Sequence, residues 1–165
     1  MTMAYLAAMK SKDPSTKIGA IIVGPNREIR STGYNGLPRK INDLAERYSN
    51  KEYKYLAGNH AEENAILHCA RIGVSTLGCS IYTPWIPCAQ CAKAIIQVGI
   101  TSVTYHAEFP GNERENYNNW STSISISLEL LKEAGIILHR FQGKLLKPKG
   151  LYNGKWFEIC DETDT

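Results

Sequence analysis

Four residues in two short clusters carry metal chemistry in their types and spacing. His60 and Glu62 form H-x-E, and 28 residues later Pro87, Cys88 and Cys91 form P-C-x-x-C. Cysteines at i and i+3 share one helical face, and the positive end of a helix lowers thiol pKa, so both sulfurs can bind as thiolates. One imidazole and two thiolates give zinc three protein ligands and leave a fourth position for water, the pattern of a catalytic rather than a structural site. Zinc makes that water ionise near neutrality, and the Glu62 carboxylate, two residues from a ligand, meets the need for a proton carrier.

Each half alone is a weak signal. A His and a Glu at a helix start are commonly a surface pair or a cap, and C-x-x-C also serves redox dithiols and structural zinc knuckles. A redox reading leaves His60 and Glu62 without a role. A closed structural zinc would need a fourth ligand from His68, Cys69 or Cys79, of which the first two fall among apolar residues in mid-helix. Ordinary packing accounts for Cys69, Cys79 and Cys160, and exposure to solvent for His106 and His139. Together the two clusters are the signature of zinc-dependent nucleobase deaminases.

Positioning these groups requires an alternation of strands and helices. Periodicity predicts a helix over 3–10, strands over 18–23 and 28–34 joined by a turn at Pro25-Asn26, and a polar stretch over 36–59 with one helical turn around 43–48. Helices then follow over 60–72, 89–98 and 121–134, and strands over 79–83, 102–105 and 136–138, with Gly135 as a breaker. The tail from His139 is left unassigned, although Trp156 and Phe157 beside Glu158, Asp161, Glu162 and Asp164 suggest a subunit contact. The expected architecture is one α/β domain over 1–165, a three-layer α/β/α sandwich on a mixed, mostly parallel sheet of about five strands. Ligands in such folds collect at loops and helix starts.

Bulk properties bound the function. The chain has 165 residues, 43% hydrophobic, and a formal charge of only +3 from 19 basic and 16 acidic side chains. That balance suits a small anionic substrate better than a nucleic acid, although Lys144, Lys147 and Lys149 cluster near the end. Five cysteines, an odd number, fit a metal site in a reducing compartment. With no run approaching the ~20 apolar residues of a membrane span and no leader pattern, a cytoplasmic protein is expected.

The sequence resembles the cytidine/deoxycytidylate (dCMP) deaminase family from about Lys12 to Tyr105. The resemblance rests on Ser11-Lys12-Asp13-Pro14-Ser15-Thr16, the strand Gly19 to Val23, Gly33-Tyr34-Asn35-Gly36, His60-Ala61-Glu62-Glu63-Asn64-Ala65-Ile66 and Pro87-Cys88-Ala89-Gln90-Cys91-Ala92-Lys93. It implies hydrolytic deamination of dCMP to dUMP and ammonia, supplying the thymidylate precursor, by a zinc-activated water, with Glu62 carrying protons. By the same resemblance Asn35 meets the sugar hydroxyl and the Ala61 N–H the pyrimidine carbonyl; Asn35 is equally a turn residue between glycines. Lys17 is the candidate for the phosphate, and also reads as a solvated strand-edge lysine. Phe109 stands where relatives place a tyrosine near the base, keeping stacking but not the hydroxyl.

Relatives are often hexamers activated by dCTP and inhibited by dTTP at a site including the G-Y-N-G loop. Gly33, Tyr34 and Gly36 are therefore effector candidates, and a dCTP effector would bring Mg2+. Residues 37–59 contain no Cys or His, so one zinc per chain is expected. Lys40 stands where many relatives have glycine. The competing readings are a deaminase acting on RNA or single-stranded DNA, which needs a basic groove, and a non-enzymatic zinc-stabilised module in which Glu62 only caps a helix.

Overall fold

The structure is a computed structural model that describes residues 1–112, 120–145 and 149–158. Helix α1 (Thr2–Ala8) is followed by the hairpin β1 (Gly19–Val23) and β2 (Ile29–Tyr34), then by α2 (Ala45–Ser49), α3 (Lys51–Ala57) and α4 (Ala61–Ile72). After these come β3 (Ser80–Thr83), α5 (Ala89–Gln97), β4 (Ser102–His106), a 3-10 turn (Pro110–Asn112), α6 (Ser121–Glu133) and β5 (Ile137–Phe141). A hairpin of β6 (Lys149–Tyr152) and β7 (Lys155–Glu158) follows and forms its own sheet.

The main sheet has the order β2-β1-β3-β4-β5. Strand β1 pairs antiparallel with both β2 and β3, whereas β3-β4 and β4-β5 are parallel. Four strands thus run one way and β1 alone runs against them, the mixed, mostly parallel sheet expected. Side chains alternate between faces. Ile22, Ile81 and Val103 are in lateral register and fully buried with Ala20, Ala65, Ile95 and Leu131, so α4, α5 and α6 cover this face. The opposite face carries α1, whose Tyr5 hydroxyl reaches His106 Nδ1 at 2.7 Å.

Two glycines bring helices directly onto the β-hairpin. A Cβ at Gly33 would lie 2.1 Å from the Ala61 carbonyl oxygen and 2.4 Å from the Ala65 nitrogen, and one at Gly19 would lie 2.0 Å from the Ala4 carbonyl oxygen. Gly33 sets the closeness of α4 to β2, Gly19 that of α1 to β1.

Four sequence expectations need correction. The 36–59 stretch holds two short helices rather than one turn, because the Asn50 side chain caps α3 by accepting the Tyr53 N–H at 3.0 Å. The last strand of the main sheet runs on to Phe141, and the unassigned tail forms a hairpin with Asn153 (φ 46°) and Gly154 (φ 75°) at its two-residue turn. His106 is buried beside Tyr5 and Phe141 rather than solvated, whereas His139 is exposed. Lys40 adopts φ 70°, the left-handed region that favours the glycine of its relatives. Trp156 is 68% exposed, while Lys147, Cys160, Asp161, Glu162 and Asp164 lie outside the described residues, as do the side chains of Lys149, Phe157 and Glu158.

Candidate metal centre and active site

Two helix starts converge on the metal centre. His60 is the N-cap of α4 (ψ 162°) and Cys88 the N-cap of α5 (ψ 170°), both with extended backbone, and neither side chain caps its helix. Ser123 of α6 accepts the Ala89 N–H, the first of α5, at 3.1 Å. Cys91 lies one turn into α5, on the same side.

His60 Nδ1 lies 3.3 Å from Cys88 Sγ and 3.5 Å from Cys91 Sγ, and the three donor atoms all fall within 4.8 Å of one another. Zinc–ligand bonds in tetrahedral geometry would set such donors roughly 3.6–3.8 Å apart, so the nitrogen and two sulfurs fit the ion with little adjustment. Among the described residues the cluster holds three protein ligands, the donor set of an open site. Cys69 and Cys79 are buried in the core and His68 is half-buried on α4, all outside the cluster.

Electrostatics favours a cation here. The Cys91 thiol donating to Cys88, with His60 beside it, overcomes burial and brings the Cys88 thiol down to about 4, while Cys91 itself is pushed up by the same bond and by burial. The Cys88 sulfur holds the His60 imidazole up at about 9. The cluster thus favours the thiolate form of Cys88, the form in which a cysteine ligates a metal.

Glu62 is 4% exposed, on the first turn of α4 beside Cys91. Burial pushes its carboxyl up to about 7 against the opposing pull of His60 and of its own backbone N–H. A carboxyl poised there exchanges a proton in both directions near neutrality.

These groups open into a cavity of about 180 Å³. Asn35 and Ala61 line it, as expected. The Asn35 amide ties the 13–18 segment together: its oxygen accepts the Ile18 N–H at 2.8 Å, and its nitrogen donates to the Thr16 carbonyl at 2.9 Å and to Asp13 Oδ2 at 3.3 Å. Ala61 opens α4, where the first N–H groups have no intrahelical acceptor and His60 supplies no side-chain cap.

Lys17 is exposed and does not line the cavity, because it leads into β1 from outside the rim. Phe109 also stays off the cavity wall: its ring packs behind Trp85, 5.7 Å between centroids. Sequence reasoning missed Trp85 and Trp120, which do line the cavity, as do Lys54 and Tyr55 of α3. Trp120 meets the His60 ring in a T-shaped contact, 5.6 Å between centroids, and Trp85 in another, 6.1 Å between centroids.

The backbone on either side of Trp85 is held by Asn112. Segment 84–87 contains two prolines without N–H donors, and the Asn112 side chain brackets Trp85 by accepting the Ile86 N–H at 3.0 Å and donating to the Pro84 carbonyl at 2.8 Å. The same amide donates to the His106 carbonyl, fixing the approach to Cys88 against the end of β4.

A second recess of about 150 Å³ shares Gly36, Leu37 and Tyr48 with the first and is rimmed by Lys10, Lys12, Arg39 and Lys40. Tyr34 lines it too, whereas Gly33 lines neither cavity and faces α4. Among the described residues no helix is long and apolar enough to cross a membrane.

Comparison with known proteins agrees with this geometry. Residues 1–107 match the profile of the cytidine and deoxycytidylate deaminase zinc-binding region. The chain is 40% identical over 134 residues to an uncharacterized deaminase of Aliivibrio fischeri encoded in the luxG 3′ region, covering 81% of this chain and 85% of that protein. It is 35% identical over 154 residues to the deoxycytidylate deaminase of Mus musculus, covering 89% and 80%. Its fold superposes on the dCMP deaminase of the cyanophage S-TIM5, solved with dCMP and dUMP, with a TM-score of 0.65 at 26% identity over 84% of this chain and 91% of that one. With its three metal donors gathered at two helix starts beside a buried carboxyl, the chain belongs to the cytidine and deoxycytidylate deaminase family and is a zinc-dependent hydrolase.

Proposed function

We propose that the protein converts dCMP and water to dUMP and ammonia, supplying the thymidylate precursor. The observation that carries this reading is the pairing of a three-donor metal cluster with the buried Glu62 carboxyl at the floor of one cavity. The mouse and cyanophage relatives named above support the choice of dCMP.

In this reading His60, Cys88 and Cys91 hold one Zn2+ per chain, which when bound acts as a Lewis acid and lowers the pKa of water. Glu62 accepts the first proton of the attacking water and passes it to N3 of the cytosine ring, then takes the proton of the new C4 hydroxyl and delivers it to the amine, so that the C4–N bond breaks, C4 is left as the carbonyl and ammonia departs. The first N–H groups of α4, beginning at Ala61, hold the pyrimidine carbonyl, and Asn35 meets the sugar hydroxyl. Trp85 and Trp120 form the apolar wall and keep bulk water from the base.

The basic recess beside Tyr34 and Gly36 suits a nucleoside triphosphate, and we assign it to dCTP and dTTP as activator and inhibitor, with Mg2+ accompanying the phosphates. Gly36 and Leu37 line both recesses, and Gly36 forms a β-bridge with Asn59, the neighbour of His60. Occupancy of the recess thereby bears on the metal end. A cytoplasmic homo-oligomer, a hexamer by resemblance to relatives, completes the proposal.

Ammonia release from dCMP, cytidine and a cytosine-containing oligonucleotide tests the substrate class. Turnover on dCMP is expected, and turnover confined to the oligonucleotide would reject the nucleotide reading. Glu62→Ala should keep zinc and fold while lowering turnover at least about 10²–10⁴-fold; undiminished turnover would remove Glu62 from the mechanism.

A further inference from the structure

The catalytic cavity has two chemically distinct ends. His60, Glu62 and Cys88 form one, and Asp13, Ser15, Thr16 and Lys54 form the other. Lys54 is the sole Lys or Arg among the described residues that line the cavity, and its side chain is 19% exposed.

Lys54 is held in position by two acceptors. Its ammonium lies 2.7 Å from Asp13 Oδ2 and donates to Ser15 Oγ at 2.7 Å. An ammonium has three N–H donors, so these contacts fix its orientation and leave a third donor for a ligand.

The Asp13 carboxylate does not rely on this lysine alone. It also accepts the Ser15 N–H at 2.9 Å, the Ser15 hydroxyl at 2.8 Å, the Thr16 N–H at 3.2 Å and the Asn35 amide at 3.3 Å. Four further donors satisfy the carboxylate, so it does not require the remaining N–H of the ammonium, which stays open to a second acceptor. Asn35 belongs to the same network, which links the cation end to the middle of the cavity.

A phosphomonoester entering a partly aromatic cavity needs both a counter-charge and hydrogen-bond donors there. From this arrangement we infer that Lys54, oriented by Asp13 and Ser15, binds the 5′-phosphate of the substrate and makes the enzyme select a nucleotide over a nucleoside. The inference rests on the deaminase reading above. It moves the phosphate contact from Lys17, outside the rim, to α3, which faces the metal end across the cavity.

The test compares kcat/KM for dCMP and deoxycytidine in wild type, Lys54→Met and Lys54→Arg, with zinc content measured for each. Loss of one charge-assisted contact should lower the dCMP value about 10- to 100-fold in Lys54→Met. The preference for dCMP over deoxycytidine should fall by a similar factor, with Lys54→Arg restoring part of it. Equal losses on both substrates, or an unaltered preference, would show that Lys54 only fastens α3 and would overturn the inference.

Inorganic phosphate provides a second readout that does not need turnover. Calorimetric binding, and competitive inhibition where activity exists, should be present in wild type, retained in Lys54→Arg and weakened in Lys54→Met. Should Lys54→Met fail to fold, Ser15→Ala, which removes one orienting contact, should raise KM for dCMP several-fold and by more than it raises KM for deoxycytidine; no change in the dCMP KM, or an equal rise in both, would count against the inference. A wild type inert on both substrates would overturn the deaminase reading, while the phosphate measurement would still decide the role of Lys54.

Discussion

His60 and Glu62 stand at the start of a helix that buries Ala61, Ala65, Ile66 and Cys69, and Cys88 at the start of one that buries Cys91, Ala92 and Ile95. Across the cavity, α2 buries only Tyr48, and α3 buries no side chain. The metal end is fixed by close packing against the sheet. The facing segment is held by polar ties: Tyr48 to Asp43, Gly36 to Asn59, and Lys54 to Asp13 and Ser15. Chemistry that fails with an ångström of misplacement sits on the packed side, and the side a substrate must pass has few apolar contacts to break when it opens.

The strongest challenge to this contrast is a change that disturbs packing without touching the site. Gly33→Val would drive a side chain into the α4 backbone, where even a Cβ would lie 2.1 Å from the Ala61 oxygen. A loss of about 1–3 kcal/mol is expected from overpacking, with an activity loss of about 100-fold as His60 and Glu62 shift. Chemical denaturation and steady-state kinetics together check this, and a stable, fully active variant would show that α4 is not positioned by its close approach to β2.

Acid should loosen the polar side by a predictable route. Burial alone would raise the Asp13 carboxyl, but the hydrogen bonds from Lys54, Ser15 and Thr16 bring it below the ordinary carboxylate value. A depressed folded pKa gives stability that is present above the unfolded value, about 3.9, and lost as pH falls through the folded value. Melting temperature should therefore drop below about pH 4. Asp13→Asn should be less stable near neutrality and lose part of that slope, and parallel curves for the two proteins would reject the assignment.

The smallest effect concerns the same segment. Lys40 holds φ 70°, a conformation costing a non-glycine residue about 1 kcal/mol. Lys40→Gly relieves this but adds chain entropy in the unfolded state, so stability should rise by no more than about 0.5 kcal/mol. A marked destabilisation would mean that the Lys40 side chain contributes to holding the loop.

What the sequence disclosed follows the same division. The zinc ligands and Glu62 were legible because metal binding constrains residue types at fixed spacing, and the α/β alternation was legible because buried strands and amphipathic helices leave periodic patterns. The cavity wall was not. Trp85, Trp120 and Lys54 come from three separate segments, and their meeting depends on loop paths that no period encodes. Resemblance to relatives puts Phe109 near the base, yet its ring packs against Trp85 off the cavity wall, in the turn ending at Asn112. Two signals were present in the sequence but not read: Asn50 as a helix cap and Asn153-Gly154 as a hairpin turn.

Gly19 and Gly33 lie on neighbouring strands and face opposite sides of the hairpin, each meeting the main chain of a helix. Along this line the protein is stacked backbone on backbone, with no side chain between layers that could change rotamer to absorb a substitution. Natural variation should accordingly be scarce at these two sites and freer at the helix positions around them. A shift of α1 would also reach α4 through two rigid contacts, leaving the terminal helix mechanically linked to the far side of the sheet.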